Sequence, residues 1–264
     1  MPARRSKRRS FGDGPDLLTG GYLRTIMLKR DLVPSFDRYP FSIPAIRELY
    51  TLDLHPRVTF LVGENGVGKS TLIEGIAVAA GFNAEGGSKN FSFSTHDNVS
   101  ELHEVLRLFR GGQREKDGYF LRAESLYNVA SEIERLGAGL VNSYGGRSLH
   151  AQSHGESFMA LALNRFRGQG LYILDEPEAA LAPSRQLAML VLIDRLVKEG
   201  GSQFVIATHS PILMAYPDAT IFQLSVEGGI SPIEYEETEH FRVTRDFLNN
   251  REAYLHELLS NEGE

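Results

Sequence analysis

Eight residues constrain this chain more than any others: Gly63-Glu-Asn-Gly-Val-Gly-Lys69-Ser70. Ahead of them, Val58-Thr-Phe-Leu-Val62 is short, β-branched and aromatic, which predicts a buried strand. Behind them, Leu72, Ile73, Ile76, Ala77 and Ala80 fall at helical spacing over Ser70–Ala80, and Gly81 stops the run. Glycines let the backbone turn sharply, so that successive N–H groups point at one anion. The helix that follows adds its positive N-terminal end. The pattern G-x-x-x-x-G-K-[ST] assigns Lys69 to the β- and γ-phosphates of a nucleotide and the Ser70 hydroxyl to Mg²⁺. The expected nucleotide contacts are Glu64, Asn65, Gly66, Val67, Gly68, Lys69, Ser70 and Thr71. The alternative is a glycine-rich turn with no nucleotide.

A second motif stands about a hundred residues on. Leu171-Tyr-Ile-Leu174 is an apolar strand that ends in Asp175 and Glu176. Behind a phosphate loop, the first carboxylate would hold Mg²⁺ directly or through water. The second would polarise the attacking water as general base. The competing account is a pair of solvated acids capping the next helix.

The rest of the pattern alternates. Helices are predicted over Ser157–Arg167 and Pro183–Glu199, and strands over Phe204–Ala207 and Thr220–Leu224. Strands alternating with helices imply an α/β protein with a largely parallel sheet. Residues 83 to 150 are more polar and read as helical, and a lobe inserted at about 83–168 is expected. Asp246–Leu259 reads as a closing helix, with Phe247, Leu248, Tyr254, Leu255 and Leu258 on one side. The expected organisation is a flexible basic leader over 1–20 and one domain over 21–264.

Composition removes several classes. The 264 residues include no cysteine, which excludes a disulfide scaffold, a thiolate metal site and a cysteine nucleophile. The longest apolar run, Leu187 to Ile193, falls far short of the roughly 18 residues that span a bilayer. A cytoplasmic location is expected. Net charge is −6, yet five bases crowd the first ten residues: Arg4, Arg5, Lys7, Arg8 and Arg9. A solvated arm accounts for them, and the alternative is contact with nucleic acid or an acidic partner.

These motifs, in this order, resemble the ABC-type ATPase superfamily. The likeness is to its soluble branch, near the chromosome-maintenance and recombination ATPases and the compact bacterial AAA-family proteins. It runs from about Tyr22 to Leu259. It implies a P-loop NTPase with an ABC-type core sheet flanked by helices, a small inserted helical lobe, and ATP and Mg²⁺ as cofactors. In that family a Ser-Gly-Gly-Gln signature opens a helix ahead of the acidic strand. Here the matching stretch is Ser153-His154-Gly155-Glu156, with His154 for a glycine and Glu156 for the glutamine. Ser153, Gly155 and Glu156 would then face the nucleotide of a second subunit. A plain capping box, Ser153 with Glu156, is the competing account.

The same resemblance makes Pro177–Pro183 a D-loop along the dimer seam, with Ala182 where an Asp is usual, and makes His209 the switch histidine at the γ-phosphate. It places a Mg²⁺-sensing glutamine after a strand in the lobe; Glu124 in Gly118-Tyr-Phe-Leu-Arg122-Ala-Glu124 is the preferred match and Gln113 the alternative. Arg147, just upstream of the signature, is a candidate phosphate or partner contact, and a solvated loop is the other reading.

The implied activity is Mg²⁺-dependent ATP hydrolysis by a head-to-tail, ATP-dependent homodimer, acting in DNA maintenance, defence or signalling. Glu176, His209 and Lys69 would be catalytic; Ser70, Asp175 and Glu124 would serve the metal. Only 83 positions separate Ser70 from Ser153, too few for a long coiled coil. A nucleic-acid or protein partner is expected at the inserted lobe. The alternatives are the nucleotide-binding subunit of a membrane transporter and a nucleotide-gated scaffold with little turnover.

Overall fold

The computed structural model describes residues 20–89, 100–135, 148 and 150–260. The basic leader before residue 20, and Arg147, lie outside the described residues. The described strands are β1 (Leu23–Leu28), β2 (Thr51–Asp53), β3 (Val58–Val62), β4 (Leu106–Arg110), β5 (Asp117–Arg122), β6 (Gly170–Asp175), β7 (Gln203–Ala207), β8 (Ala219–Ser225) and β9 (Gly229–Pro232). The described α-helices are α1 (Pro44–Arg47), α2 (Lys69–Ala79), α3 (Leu102–Val105), α4 (Leu126–Arg135), α5 (His154–Arg165), α6 (Pro183–Lys198), α7 (Pro211–Met214), α8 (Glu239–Asn249) and α9 (Arg251–Ser260).

Two sheets result. β2-β1-β4 is antiparallel, and β5-β6-β7-β3-β8-β9 is parallel except for β9 at its edge. β3, β6 and β7 are buried along their whole length, as parallel strands covered on both faces must be. The pleat divides their side chains. Phe60, Val62, Tyr172, Leu174, Phe204 and Ile206 face one way, into a core shared with α4, α5 and α6. Leu61, Ile173, Val205 and Ala207 face the other way, against α2 and the small sheet. Each large apolar side chain so buried contributes about 1.5–3 kcal/mol. Leu72, Ile73, Ile76 and Ala77 of α2 are fully buried between the two sheets, which fixes the helix that begins at the glycine loop.

One polar side chain joins the sheets. Gln203, at the start of β7, accepts from the backbone N–H groups of Tyr22 and Leu23 at 2.8 Å each. Its amide donates to the carbonyls of Leu23 and His55, at 2.7 and 2.9 Å.

The segment expected to be helical supplies two strands instead. β4 pairs with β1, and β5 forms the edge of the large sheet beside β6. The apolar run Tyr119-Phe-Leu121 is almost wholly buried there, and only α3 and α4 are described as helical in that stretch. The expected closing helix is two helices. Asn250, at φ −130°, leaves the helical region and separates α8 from α9. Neither buries a residue, so Leu248 and Leu258 are exposed.

The register sets up the site. Arg122, Asp175 and Ala207 are direct neighbours across β5, β6 and β7, and Leu61 of β3 continues the row. The loops after these strands leave from one edge, where ligands bind in open α/β sheets.

Candidate nucleotide site

The loop after β3 turns through three glycines with positive φ: Gly63 at +145°, Gly66 at +81° and Gly68 at +99°. A Cβ at Gly63 would collide with the Leu224 carbonyl, and one at Gly68 would sit 2.6 Å from Ile43 Cγ2. These positions need glycine for both conformation and space. Lys69 is only 4% exposed and opens α2. Its Nζ donates to the carbonyls of Gly63 at 2.9 Å and Glu64 at 2.7 Å. Burial lowers its pKa, while the charges of Glu176, Asp175 and Glu178 oppose that shift. A cavity of about 350 Å³ opens over the loop, lined by Asn65, Gly66, Gly68, Lys69, Ser70, Thr71 and Glu176, with Tyr39 at its side. The Tyr39 hydroxyl lies 3.3 Å from that of Thr71. A larger cavity, about 630 Å³, lies between Met214–Ile221 and Pro232–Glu237 and shares no residue with the motifs.

Asp175 ends β6 with its carboxyl buried. Burial raises its pKa to about 6, against the pull of the Arg122 guanidinium and a hydrogen bond from Ser70. Its Oδ1 has no hydrogen-bond partner. A buried carboxylate oxygen without a donor, beside a serine hydroxyl, is a hard-oxygen pair suited to Mg²⁺. Ser70 and Asp175 therefore fit the ion that the family implies. Glu176 follows in the left-handed region, at φ 48° and ψ 53°, with its N–H on the Ala207 carbonyl at 2.9 Å. That turn separates the two acids: Asp175 is 5% exposed, while a third of the Glu176 side chain remains open.

Glu124 lies away from this pair, with its side chain 85% exposed. The residue of this stretch that stands beside Asp175 is Arg122. Its Nε is 3.3 Å from Asp175 Oδ2, and its Nη1 donates to Glu74 Oε2 on α2 at 2.7 Å. The cause is register: β5 ends level with β6, so its last residue, not the one two further on, faces the aspartate. Gln113 falls in the turn between β4 and β5.

His209 follows β7. Its Nε2 is buried and stands 3.3 Å from Glu176 Oε1, and its Nδ1 is 2.8 Å from Nε2 of His240 on α8. Glu178 anchors the turn beneath it: the carboxylate accepts from the Thr208 hydroxyl at 2.7 Å and from the His209 backbone N–H. Burial raises the Glu178 pKa. It lowers that of His209, and Lys69 adds to this while Glu176 opposes it.

The signature stretch opens α5. Ser153 is the N-cap, its Oγ accepting from Glu156 N–H while Glu156 Oε2 takes the Ser153 N–H at 3.0 Å. The capping box is thus formed, and Arg185 lies 3.3 Å from Glu156. A Cβ at Gly155 would sit 2.8 Å from the Ala180 carbonyl, so the start of α5 packs directly on the loop after Glu176. Ser153, Gly155 and Glu156 do not line the phosphate cavity of their own chain. Val67 and Glu64 are also outside that cavity's wall, Val67 being buried under Gly63 and Glu64 lining a second opening beside His209 and His240. Among the described residues, no cluster of three or more His, Asp or Glu is arranged to hold a metal.

Four residues of the site escaped the sequence reading: Tyr39, Arg122 as a neighbour of Asp175, Glu178 and His240. Only Glu178 carries a local signal, a third acid two positions past Glu176 in the same short loop.

The parallel sheet, the glycine loop at the carboxyl end of its central strand and the acid pair on the next strand but one define a P-loop nucleotide-binding fold. Two family models agree, one described as an AAA domain over residues 42–134, the other as an AAA domain, putative AbiEii toxin, type IV TA system, over 142–215. The thiamine import ATP-binding protein ThiQ of Cereibacter sphaeroides is 32% identical over 168 residues, 57% of this chain and 70% of that protein. The iron(3+)-hydroxamate import ATP-binding protein FhuC of Bacillus subtilis is 28% identical over 58% of this chain and 63% of that protein. The SMC head domain from Thermotoga maritima superimposes with a TM-score of 0.45 at 17% identity, over 81% of this chain and 99% of that one. The chain belongs to the ABC-type ATPases of the P-loop class. Among its described residues, no helix is long and apolar enough to cross a membrane.

Proposed function

We propose that this protein binds ATP with Mg²⁺ and hydrolyses it in sites shared between two copies arranged head to tail. The observation that carries the reading is the convergence of Lys69, Ser70, Asp175, Glu176 and His209 at one edge of the sheet. In the reaction, Lys69 would leave the Gly63 and Glu64 carbonyls for the β- and γ-phosphates, joined by the backbone N–H groups of Gly66 and Gly68. Ser70 and Asp175 would hold Mg²⁺, which supplies charge neutralisation between the phosphates. Glu176 would take the proton of the attacking water. His209 Nε2 would donate to the terminal phosphate, and the Tyr39 ring, at the side of the cavity, would stack on the base.

The shared site is supported by what one chain leaves undone. Ser153 and Gly155 offer a hydroxyl and a helix N-terminus, yet neither reaches the phosphate cavity of its own chain. A second copy facing the first would bring them over the terminal phosphate. Glu176→Gln, with binding intact and hydrolysis stopped, is expected to accumulate as an ATP-bound dimer in multi-angle light scattering. Only monomer at saturating ATP would overturn the shared site.

What the cycle drives is proposed to be DNA maintenance, defence or signalling in the cytoplasm. The short span between Ser70 and Ser153 supports a compact head without a long coiled coil, and the Ser-His-Gly-Glu signature and the arginine beside Asp175 speak against transporter-type coupling. A hydrolysis rate raised several-fold by DNA and lost at high salt, with Lys69→Ala as the inactive control, would support a nucleic-acid partner at the insertion. A second reading is a transporter's nucleotide-binding subunit, favoured by the importer proteins among the relatives. It predicts co-purification with a membrane protein and no response to DNA.

A further inference from the structure

His240 lies outside every motif described above, yet it makes the closest polar contact to the His209 ring. Its Nε2 is 2.8 Å from His209 Nδ1, and the rings meet edge to face at 4.8 Å. We propose that His240, on the C-terminal helix α8, is a positioning residue that fixes the His209 tautomer with its proton on Nε2, the atom that faces the terminal phosphate of ATP. This rests on the nucleotide site proposed above.

Two buried atoms decide the direction of the hydrogen bond. His209 Nε2 and His240 Nδ1 are both buried and without hydrogen-bond partners. In the neutral pair a single proton sits between the rings, so there are two arrangements. If His209 donated from Nδ1, its bare Nε2 lone pair would point at the Glu176 carboxylate 3.3 Å away, and His240 would bury an Nδ1–H with no acceptor. An orphaned buried N–H is rarer than an unfilled acceptor, because its desolvation is uncompensated. If His240 donates from Nε2, the His209 N–H faces the Glu176 carboxylate at 3.3 Å, an attractive contact in place of a repulsive one, and no N–H of His240 is left buried without an acceptor. His209 then carries its proton on Nε2, directed at Glu176 and into the phosphate site, and His240 leaves only a bare nitrogen. The burial that lowers the pKa of both rings keeps the pair neutral near pH 7. A histidine's second nitrogen commonly sets what the first can do.

The helix is tied to the segment it serves. Thr238, fully buried, precedes α8 and its hydroxyl donates to the Tyr235 carbonyl at 2.7 Å. Tyr235 in turn donates to the Pro211 carbonyl at 3.0 Å, two residues past His209, and its ring packs on Phe241 at 4.5 Å. His240 is therefore held against the His209 turn from both sides of its own position in the chain.

The test reads the tautomer directly. Long-range ¹H–¹⁵N NMR on the full chain, labelled in histidine and free of nucleotide, should show His209 protonated at Nε2 and bare at Nδ1. His240→Phe keeps a ring and removes the donor; His209 should then shift towards the Nδ1–H form. His240→Gln presents an amide N–H in a similar place and should restore the Nε2–H form. In ATP hydrolysis, His240→Phe should lower kcat by about 10–100-fold with KM nearly unchanged, and His240→Gln should recover much of the loss. A bare Nε2 in the wild-type protein, or a tautomer and kcat indifferent to His240→Phe, overturns the proposal. Should His240→Phe fail to fold, the wild-type and His240→Gln spectra still decide it. Should the wild-type protein hydrolyse no ATP, the proposed function fails, while the tautomer is read without turnover.

Discussion

Removing the Glu178 carboxylate would strand two donors, the Thr208 hydroxyl and the His209 N–H, in a place where Thr208 is fully buried. Glu178→Ala is expected to cost about 2–4 kcal/mol, read as a lower urea midpoint at unchanged slope. Because burial raises the Glu178 pKa, the native state holds this proton more tightly than the unfolded chain. The stability it confers is complete below the ordinary glutamate value and declines as pH rises through the raised native one. Glu178→Gln should flatten that decline in a stability–pH series. The placement of residues with a motif around them was legible from the chain: Lys69 in its glycine loop, Asp175 and Glu176 behind an apolar strand, and His209 after another. Arg122 and His240 were not, because each acts on a partner far along the chain, Asp175 across a strand pairing and His209 across a helix contact. No local period encodes such a pairing.

At the level of elements, the loop between β3 and α2 sets different tolerances at its three glycines. Gly63→Ala meets a backbone carbonyl as well as an unfavourable φ, and should cost at least about 2 kcal/mol and abolish nucleotide binding in calorimetry. Gly66→Ala has no heavy atom within 4 Å and should cost only about 1 kcal/mol from φ alone. Equal losses at the two positions would argue that conformation, not space, governs the loop. The central strands were legible because β3, β6 and β7 are short apolar runs ended by glycine, by charge or by a polar threonine. β4 was hidden, since Leu106-Arg-Leu-Phe-Arg110 is polar enough to read as a helix face and becomes a strand only through pairing with β1. The C-terminal pair α8 and α9 read as one helix because the apolar spacing continues through the break, and Asn250 alone interrupts the backbone.

For the whole molecule, a ligand that binds only the folded state must raise its stability by mass action. ATP with Mg²⁺ at about a hundred times its dissociation constant should add about 2.7 kcal/mol, a rise in Tm of roughly 5–10 °C for a domain of this size. Lys69→Ala should show no such rise; an equal shift in that variant would place the nucleotide elsewhere. The joint between the two sheets has a different consequence. Gln203 grips main-chain atoms of Tyr22, Leu23 and His55, none of which depends on the identity of a side chain. The small sheet is thus aligned to the ATP-binding half by this carboxamide together with the apolar core the two share, which leaves its outward-facing residues free to change, and with them its choice of neighbours.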